Sequence, residues 1–233
     1  MTEQDWLTGT DPTPLLWFLR GRASDRKLRL FAVACCHGVW KWMPDERSRG
    51  GVEAAERLAD GLVGEDEWQV AYNEAGEAND EFVGELAYLS ESARAAWYAL
   101  TVGPEFKWVG DVVRSAIRLA SSGAVDGYHF SIEADSEEVR AATSREHTRQ
   151  LRLLRFIFGN PFRPVTADPT WLTPTAVTLA RAIYAERAFD RLPILADALE
   201  EAGCNDPDVL THLRGDGPHV RGCWVVDLLL GRG

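Results

Sequence analysis

The sequence predicts an all-α fold, a multi-helix bundle, and three observations support this. Apolar residues recur at helical spacing along most of the chain. In the last sixty residues, prolines and glycines alternate as helix start and stop signals. No segment alternates apolar and polar residues as a half-buried strand would. The segment CWVVDLLL resembles a buried strand, but Pro218 and Gly231 bracket it at helical length.

Capping residues predict three helices in the first sixty residues. The first covers residues 12–19, after Thr10 and Asp11, and the second begins at Ser24 or Asp25 and runs to residue 43. Pro44 closes the second helix, and Asp45 begins the third. Apolar residues cover a wide arc of the second helix, so we expect most of it to be buried.

The middle of the chain is harder to assign. Residues 65–100 are rich in Ala and Glu, with apolar residues near helical spacing. Gly76 and Gly84 weaken this helical pattern, so the segment forms either one weak helix or two. We expect a loop over residues 104–108, a helix over 109–119 and an exposed connection over 121–135. Ser136 then begins a long helix that ends at Phe158, before a Gly-Asn-Pro stop.

A proline-rich connector occupies residues 158–174, FGNPFRPVTADPTWLTP. Four short helices are predicted after it, beginning at Pro174, Asp190, Pro207 and Pro218. We therefore predict an N-terminal helical block with an acidic middle segment over 1–157 and a C-terminal four-helix block over 174–233. The two blocks are expected to share one core.

The charge of the chain is negative and unevenly distributed. The 233 residues carry a formal net charge of −11, and residues 51–150 hold most of the excess acid. An acidic surface repels phosphate backbones, which disfavours general nucleic-acid binding. No stretch has the roughly 20 apolar residues of a membrane helix, and the acidic N-terminus is unlike a signal peptide. We expect a cytoplasmic protein with reduced cysteines and no membrane contact.

Four residues offer the main metal-binding alternative: Cys35, Cys36, His219 and Cys223. On a helix that begins at Pro218, His219 and Cys223 would face the same way and could ligate zinc. The adjacent Cys35 and Cys36 point about 100° apart on a helix, which makes a poor second pair. Buried cysteine also behaves as a small hydrophobic residue. We therefore expect no metal or cofactor, with a Cys/His zinc site or enzyme as the alternative.

The motifs indicate no catalytic residue, because there is no GxSxG elbow and the neighbours Cys36 and His37 cannot face each other on a helix. A basic face is clearer. Arg145, Arg149 and Arg152 follow helical spacing before the connector. They either pair with the acidic residues 51–100 or bind a partner.

Trp224 is the other candidate for partner binding, because it lies beside Gly222 in the last predicted helix. We expect Arg145, Arg149, Arg152 and Trp224 to bind another protein. An accessory role with nucleic acid is the alternative for the basic residues.

Several segments resemble an uncharacterised family. They are Trp6-Leu7, Asp11-Pro12, SDRKLRLFA at 24–32, Cys35-Cys36, FGNPFRPV, AFDRLPILADALE and PHVRGCWVVDLLLG. The family recurs in many copies in planctomycete bacteria, some of them repeat-companion proteins beside SMI1/KNR4-like regions. The resemblance implies no activity and no catalytic residue. Its multiplicity is typical of a module that varies its partner, so we expect a non-catalytic protein–protein interaction or regulatory module.

Overall fold

A computed structural model describes residues 1–82, 87–101, 107–123 and 136–232. Over these ranges the chain forms twelve α-helices and no strand, which confirms the all-α prediction. None of the helices in the same ranges is long and apolar enough to cross a bilayer.

Contacts divide the chain into two units. The N-terminal unit comprises Met1 and Thr8–Leu151, and the C-terminal unit comprises Thr2–Leu7 and Arg152–Gly233. The helices are α1 (Glu3–Thr8), α2 (Pro12–Phe18), α3 (Asp25–Gly38), α4 (Glu46–Ala59), α5 (Glu65–Glu81), α6 (Ala87–Leu100), α7 (Lys107–Gly123), α8 (Glu137–Phe158), α9 (Pro174–Glu186), α10 (Leu192–Glu201), α11 (Pro207–Arg214) and α12 (Trp224–Leu230). The shared core of the two predicted blocks stays a prediction.

Side-chain caps begin the helices of the N-terminal unit where the sequence predicts. Asp11, Ser24 and Asp45 each accept a hydrogen bond from a backbone N–H in the first turn of α2, α3 and α4. Most of α3 is buried, as expected. Its predicted end at residue 43 is wrong, because the helix ends at Gly38 and a 3₁₀ turn over Trp40–Trp42 follows.

The middle of the chain forms two helices, α5 and α6, where the sequence pattern did not decide between one helix and two. Gly51 on α4 lets α5 approach α4 closely, since a Cβ at residue 51 would lie 3.1 Å from the Ala75 Cβ. The loop expected over 104–108 is wrong for residues 107 and 108, because α7 begins at Lys107, and residues 104–106 lie outside the described residues. Residues 121–123 still belong to α7, and the remainder of the expected connection, 124–135, lies outside the described residues.

Two helices of the C-terminal unit begin at the predicted prolines, and the last helix does not. The helices α9 and α11 begin at Pro174 and Pro207, after Thr173 and Asp206 caps. Between them, a 3₁₀ turn over Phe189–Arg191 precedes α10. The predicted start of the last helix at Pro218 is wrong, because α12 begins only at Trp224.

Backbone geometry explains the late start of α12. His219 and Gly222 both have positive φ, 44° and 93°, which a right-handed helix excludes. Gly217 also lies directly against a ring, since a Cβ there would be 2.7 Å from Phe156 Cδ2. Tertiary packing therefore keeps residues 217–222 out of the helix.

The helix α1 has no counterpart in the sequence prediction, and it packs within the C-terminal unit. The Trp6 side chain is fully buried, and its indole N–H donates to the Gly159 carbonyl at 3.0 Å. Arg155 donates to the Trp6 carbonyl at 3.0 Å, and Asn160 donates to Glu3 at 2.6 Å. These bonds fix the beginning of the connector, where residues 159–173 contain only a 3₁₀ turn over Pro169–Trp171.

Replacing Trp6 with alanine should destabilise the C-terminal unit by about 3–5 kcal/mol, because it empties a fully buried site and removes the bond to Gly159. The matched control is Trp17→Ala, since Trp17 is 53% exposed. We expect the control to cost less than about 1 kcal/mol. Urea unfolding monitored by far-UV circular dichroism measures both, and equal losses would contradict the assignment of Trp6 as an anchor.

Candidate functional site

A highly connected polar group of the N-terminal unit is the Arg149 guanidinium on α8. It donates to the backbone carbonyls of Ala34 at 3.0 Å and Cys35 at 2.9 Å. These carbonyls lie near the C-terminal end of α3, where intrahelical donors run out and the helix dipole is negative. Arg149 therefore acts as a cationic cap of α3. It supplies a donor to the Cys35 carbonyl in the last turn of α3, which ends at Gly38.

Glu146 and Gln150 complete the network around Arg149. The Glu146 carboxylate is buried and accepts from Arg149 Nε at 2.8 Å and Nη2 at 2.7 Å. Gln150 Nε2 donates to Glu146 at 2.8 Å and to the Val113 carbonyl at 3.3 Å. The network thus joins α3, α7 and α8. Burial lowers the pKa of Arg149, but the hydrogen bonds and charge of Glu146 outweigh it, and the net shift is upward.

Gly38 leaves the space that the guanidinium fills. A Cβ at this position would lie 1.9 Å from Arg149 Cζ. Although an arginine side chain is flexible, this one is held by its bonds to Ala34, Cys35 and Glu146. A side chain at residue 38 would therefore displace the guanidinium from its acceptors. The sequence pattern does not single out Gly38, whose only signal is its position at the end of an apolar helix.

A cleft of about 390 Å³ lies beside this network, within the N-terminal unit. It is lined by Gly38, Lys41, Trp42, Ala120, Ala142, Arg145, Glu146 and Arg149. Glu146 is already paired with Arg149, so the net positive charge of the cleft comes from Lys41 and Arg145. Lys41 is exposed, with its Nζ 4.1 Å from the centre of the Trp42 ring. Arg145 is exposed, and no ion pair to it forms within the described ranges. The cleft is therefore suited to an anionic group.

The four predicted partner-binding residues are separated by the structure. Arg145 and Arg149 line the cleft, although Arg149 is engaged by its own unit. Arg152 and Trp224 belong to the C-terminal unit. Arg152 is exposed and donates to the Asp216 carbonyl. Trp224 is half-buried against Gly159, where a Cβ would lie 3.2 Å from the indole.

The expected pairing of these arginines with residues 51–100 does not describe Arg149, whose ion-pair partner is Glu146 on its own helix. Only one of the three arginines thus has its guanidinium committed to a buried network, and sequence spacing alone did not distinguish it. Lys41, the second exposed cation of the cleft, was also missed. It lies in the segment that the sequence assigned to the continuing helix α3.

The thiols of Cys35 and Cys36 are fully buried on α3. Burial raises the pKa of both, that of Cys36 to about 12, and the nearby Arg149 charge offsets only part of this effect. Burial also raises the pKa of the Cys204 thiol. Since thiolates are the reactive and metal-binding form, these cysteines are held as neutral packing groups.

Cys223 does not share a helix with His219, because α12 begins one residue after Cys223. The imidazole near its sulfur is His212, with Nε2 3.2 Å from Sγ. That ring packs between Phe156, at 4.7 Å, and Trp224, at 5.3 Å. Cys223 itself is fully buried. The pair is therefore part of the packing of the C-terminal unit, with the thiol fully buried and the His212 ring half-buried.

No group of three or more His, Cys, Asp or Glu side chains is arranged to hold a metal ion within the described ranges. Cys35, Cys36, His219 and Cys223, the residues of the zinc alternative, therefore form no such group in the described part of the chain, where the contact of Cys223 is with His212. A tetrahedral site needs further ligands.

The sequence matches no protein-family model, no curated protein and no solved structure. The candidate site therefore rests on its own geometry.

Replacing Arg149 with alanine should destabilise the protein by about 3–5 kcal/mol, because it leaves the buried Glu146 carboxylate unpaired. Arg145→Ala, four residues earlier on the same helix, should cost no more than about 0.5 kcal/mol because Arg145 is exposed.

Gly38→Ala should destabilise through the same network. The double variant Gly38→Ala/Arg149→Ala should then lose less than the sum of the single losses. Strict additivity in urea unfolding would refute the proposed role of Gly38.

Stability should decline as the pH rises from 9 towards 12. The ordinary thiol pKa is 9.0 and that of folded Cys36 is about 12, so the folded state retains protons that the unfolded chain loses. The contribution is complete below pH 9 and disappears as the pH approaches 12. Urea midpoints measured at several pH values should fall less steeply for Cys35→Ala/Cys36→Ala than for the native chain. Parallel curves would show that these thiols do not titrate as described.

Proposed function

We propose that this protein is a non-catalytic interaction module, and that its N-terminal unit binds an acidic segment of a partner protein in the cleft. One observation carries the proposal: Lys41 and Arg145 are exposed on the cleft with no carboxylate of the described residues paired to either. The chain as a whole is acidic, so many carboxylates are available to pair with the two cations of the cleft. None of the described carboxylates does so.

The network beneath the cleft supports this role by holding the binding surface in place. Arg149 and Glu146 are tied to α3 and, through Gln150, to α7. A preformed surface loses less conformational entropy on binding than a mobile one. Exposed cations at the rim then contribute charge attraction and association rate more than tight affinity. This combination favours reversible recognition of Asp- and Glu-rich segments.

The Trp42 ring favours a protein segment as the occupant. It lies in the cleft beneath the Lys41 ammonium, so a peptide carboxylate could pair with Lys41 while neighbouring apolar atoms pack on the ring. Nucleic acid would place a continuous phosphate backbone against a chain of charge −11. We therefore favour an acidic protein segment, in a cytoplasmic setting with reduced cysteines. This agrees with the resemblance to a multi-copy family, which stays a prediction.

The test uses a fluorescein-labelled peptide of alternating Glu and Gly, with binding followed by fluorescence anisotropy. We expect Arg145→Ala to weaken binding about threefold and Lys41→Ala/Arg145→Ala about tenfold, because each exposed pair contributes up to about 1 kcal/mol. Binding should weaken further as salt screens the charges.

The matched control is Arg181→Ala, which removes one exposed positive charge from α9 in the C-terminal unit. It should leave the affinity within about twofold of the native value. If the control and Arg145→Ala weaken binding equally, the attraction belongs to the overall charge and not to the cleft. A native protein that binds no acidic peptide at low salt would refute the proposal.

A further inference from the structure

A second surface of the N-terminal unit has different chemistry. Four aromatic side chains form a continuous string across α5 and α6. The ring centres of Trp68 and Tyr72 are 5.2 Å apart, those of Tyr72 and Trp97 5.6 Å, and those of Trp97 and Tyr98 5.6 Å. All four side chains are half-buried, so each packs on the unit and still presents part of its ring to solvent. Exposed aromatic strings of this kind are typical of binding surfaces.

The helix that carries half of this string is strongly acidic. The segment EDEWQVAYNEAGEANDE, α5, contains no Lys or Arg. Two of its carboxylates are paired with α4, Glu67 with Arg57 and Glu81 with Arg47. Glu65, Asp66, Glu74 and Glu77 are exposed, and they form no ion pair with the described part of the chain. The α5 surface therefore has uncompensated negative charge.

Helical spacing brings part of this charge to the aromatic string. Glu65 precedes Trp68 by three residues and Tyr72 by seven, so the three side chains follow one stripe of α5. The Trp68 indole is fixed by its N–H, which lies 3.4 Å from the Leu100 carbonyl on α6. Tyr72 in turn stacks on this fixed ring. The rings are thus held in place beside a carboxylate.

We propose that this acidic-aromatic face, defined by Glu65, Trp68, Tyr72 and Trp97, binds a Lys- or Arg-rich segment of a partner protein. Cations are attracted to aromatic faces and to carboxylates at once, and both are present here. The net charge of −11 attracts a cationic partner from a distance. The same charge repels anionic lipid surfaces and nucleic acid. The inference is independent of the cleft, which has the opposite charge.

The experiment measures anisotropy of a fluorescein-labelled peptide of alternating Lys and Gly with the full chain. Tyr72→Leu keeps an apolar side chain but removes the ring, and should weaken binding about threefold. Glu65→Gln should weaken it about threefold. Circular dichroism and thermal unfolding verify that each variant is folded, and Trp68→Leu replaces Tyr72→Leu if that variant is unfolded.

The charge-matched control is Glu201→Gln, which removes one exposed carboxylate from the C-terminal unit. It should change the affinity less than about twofold. Arg145→Ala, which tests the cleft, should not weaken binding of the basic peptide, so the two proposals can fail separately. No binding by the native chain, an equal loss in the control, or no loss when the rings are removed would each overturn the inference.

Discussion

Arg149 is a largely buried cation, and the N-terminal unit is arranged around the need to keep it bonded. Removing a guanidinium from water costs several kcal/mol unless charge and hydrogen bonds replace the solvent. Glu146 supplies the charge, and the carbonyls of Ala34 and Cys35 supply further acceptors. The contact between α8 and the last turn of α3 follows from this, since these carbonyls lie in that turn. The glycine at residue 38 follows as well, because a Cβ would occupy the space of the guanidinium.

The same constraint defines the character of the cleft. Arg149 and Glu146 neutralise each other, so the cleft has the net charge of its rim residues Lys41 and Arg145. The buried pair contributes rigidity, and the exposed pair contributes attraction. These roles need different environments, because a buried charge must be satisfied internally whereas a binding charge must remain accessible. Two arginines four residues apart on one helix therefore have opposite roles.

Local signals predicted well wherever the cause of a structure is itself local. Ser136 and Thr173 cap α8 and α9 because their hydroxyl groups lie beside the backbone donors in sequence. The missed elements depend on distant contacts: α1 is held by the bond from Trp6 to Gly159, and α12 starts late because Gly217 packs on Phe156. Spacing identified the face that contains Arg145 and Arg149. It could not show how far α8 is rotated, so it could not show which arginine points inward.

Both charged surfaces belong to the N-terminal unit, and their coexistence follows from how charge is distributed. Unpaired charges of one sign repel and lower stability, and mutual pairing would relieve this. Among the described residues of this unit, Arg47 and Arg57 neutralise Glu81 and Glu67, two of the seven carboxylates on α5. The carboxylates left over accompany half-buried aromatic rings, and the cations left over line a cleft with Trp42. In each case the unpaired charge adjoins apolar surface that a partner could cover. Binding of a partner can stabilise the charge and the apolar surface together, whereas an intramolecular ion pair at the surface would stabilise only the charge.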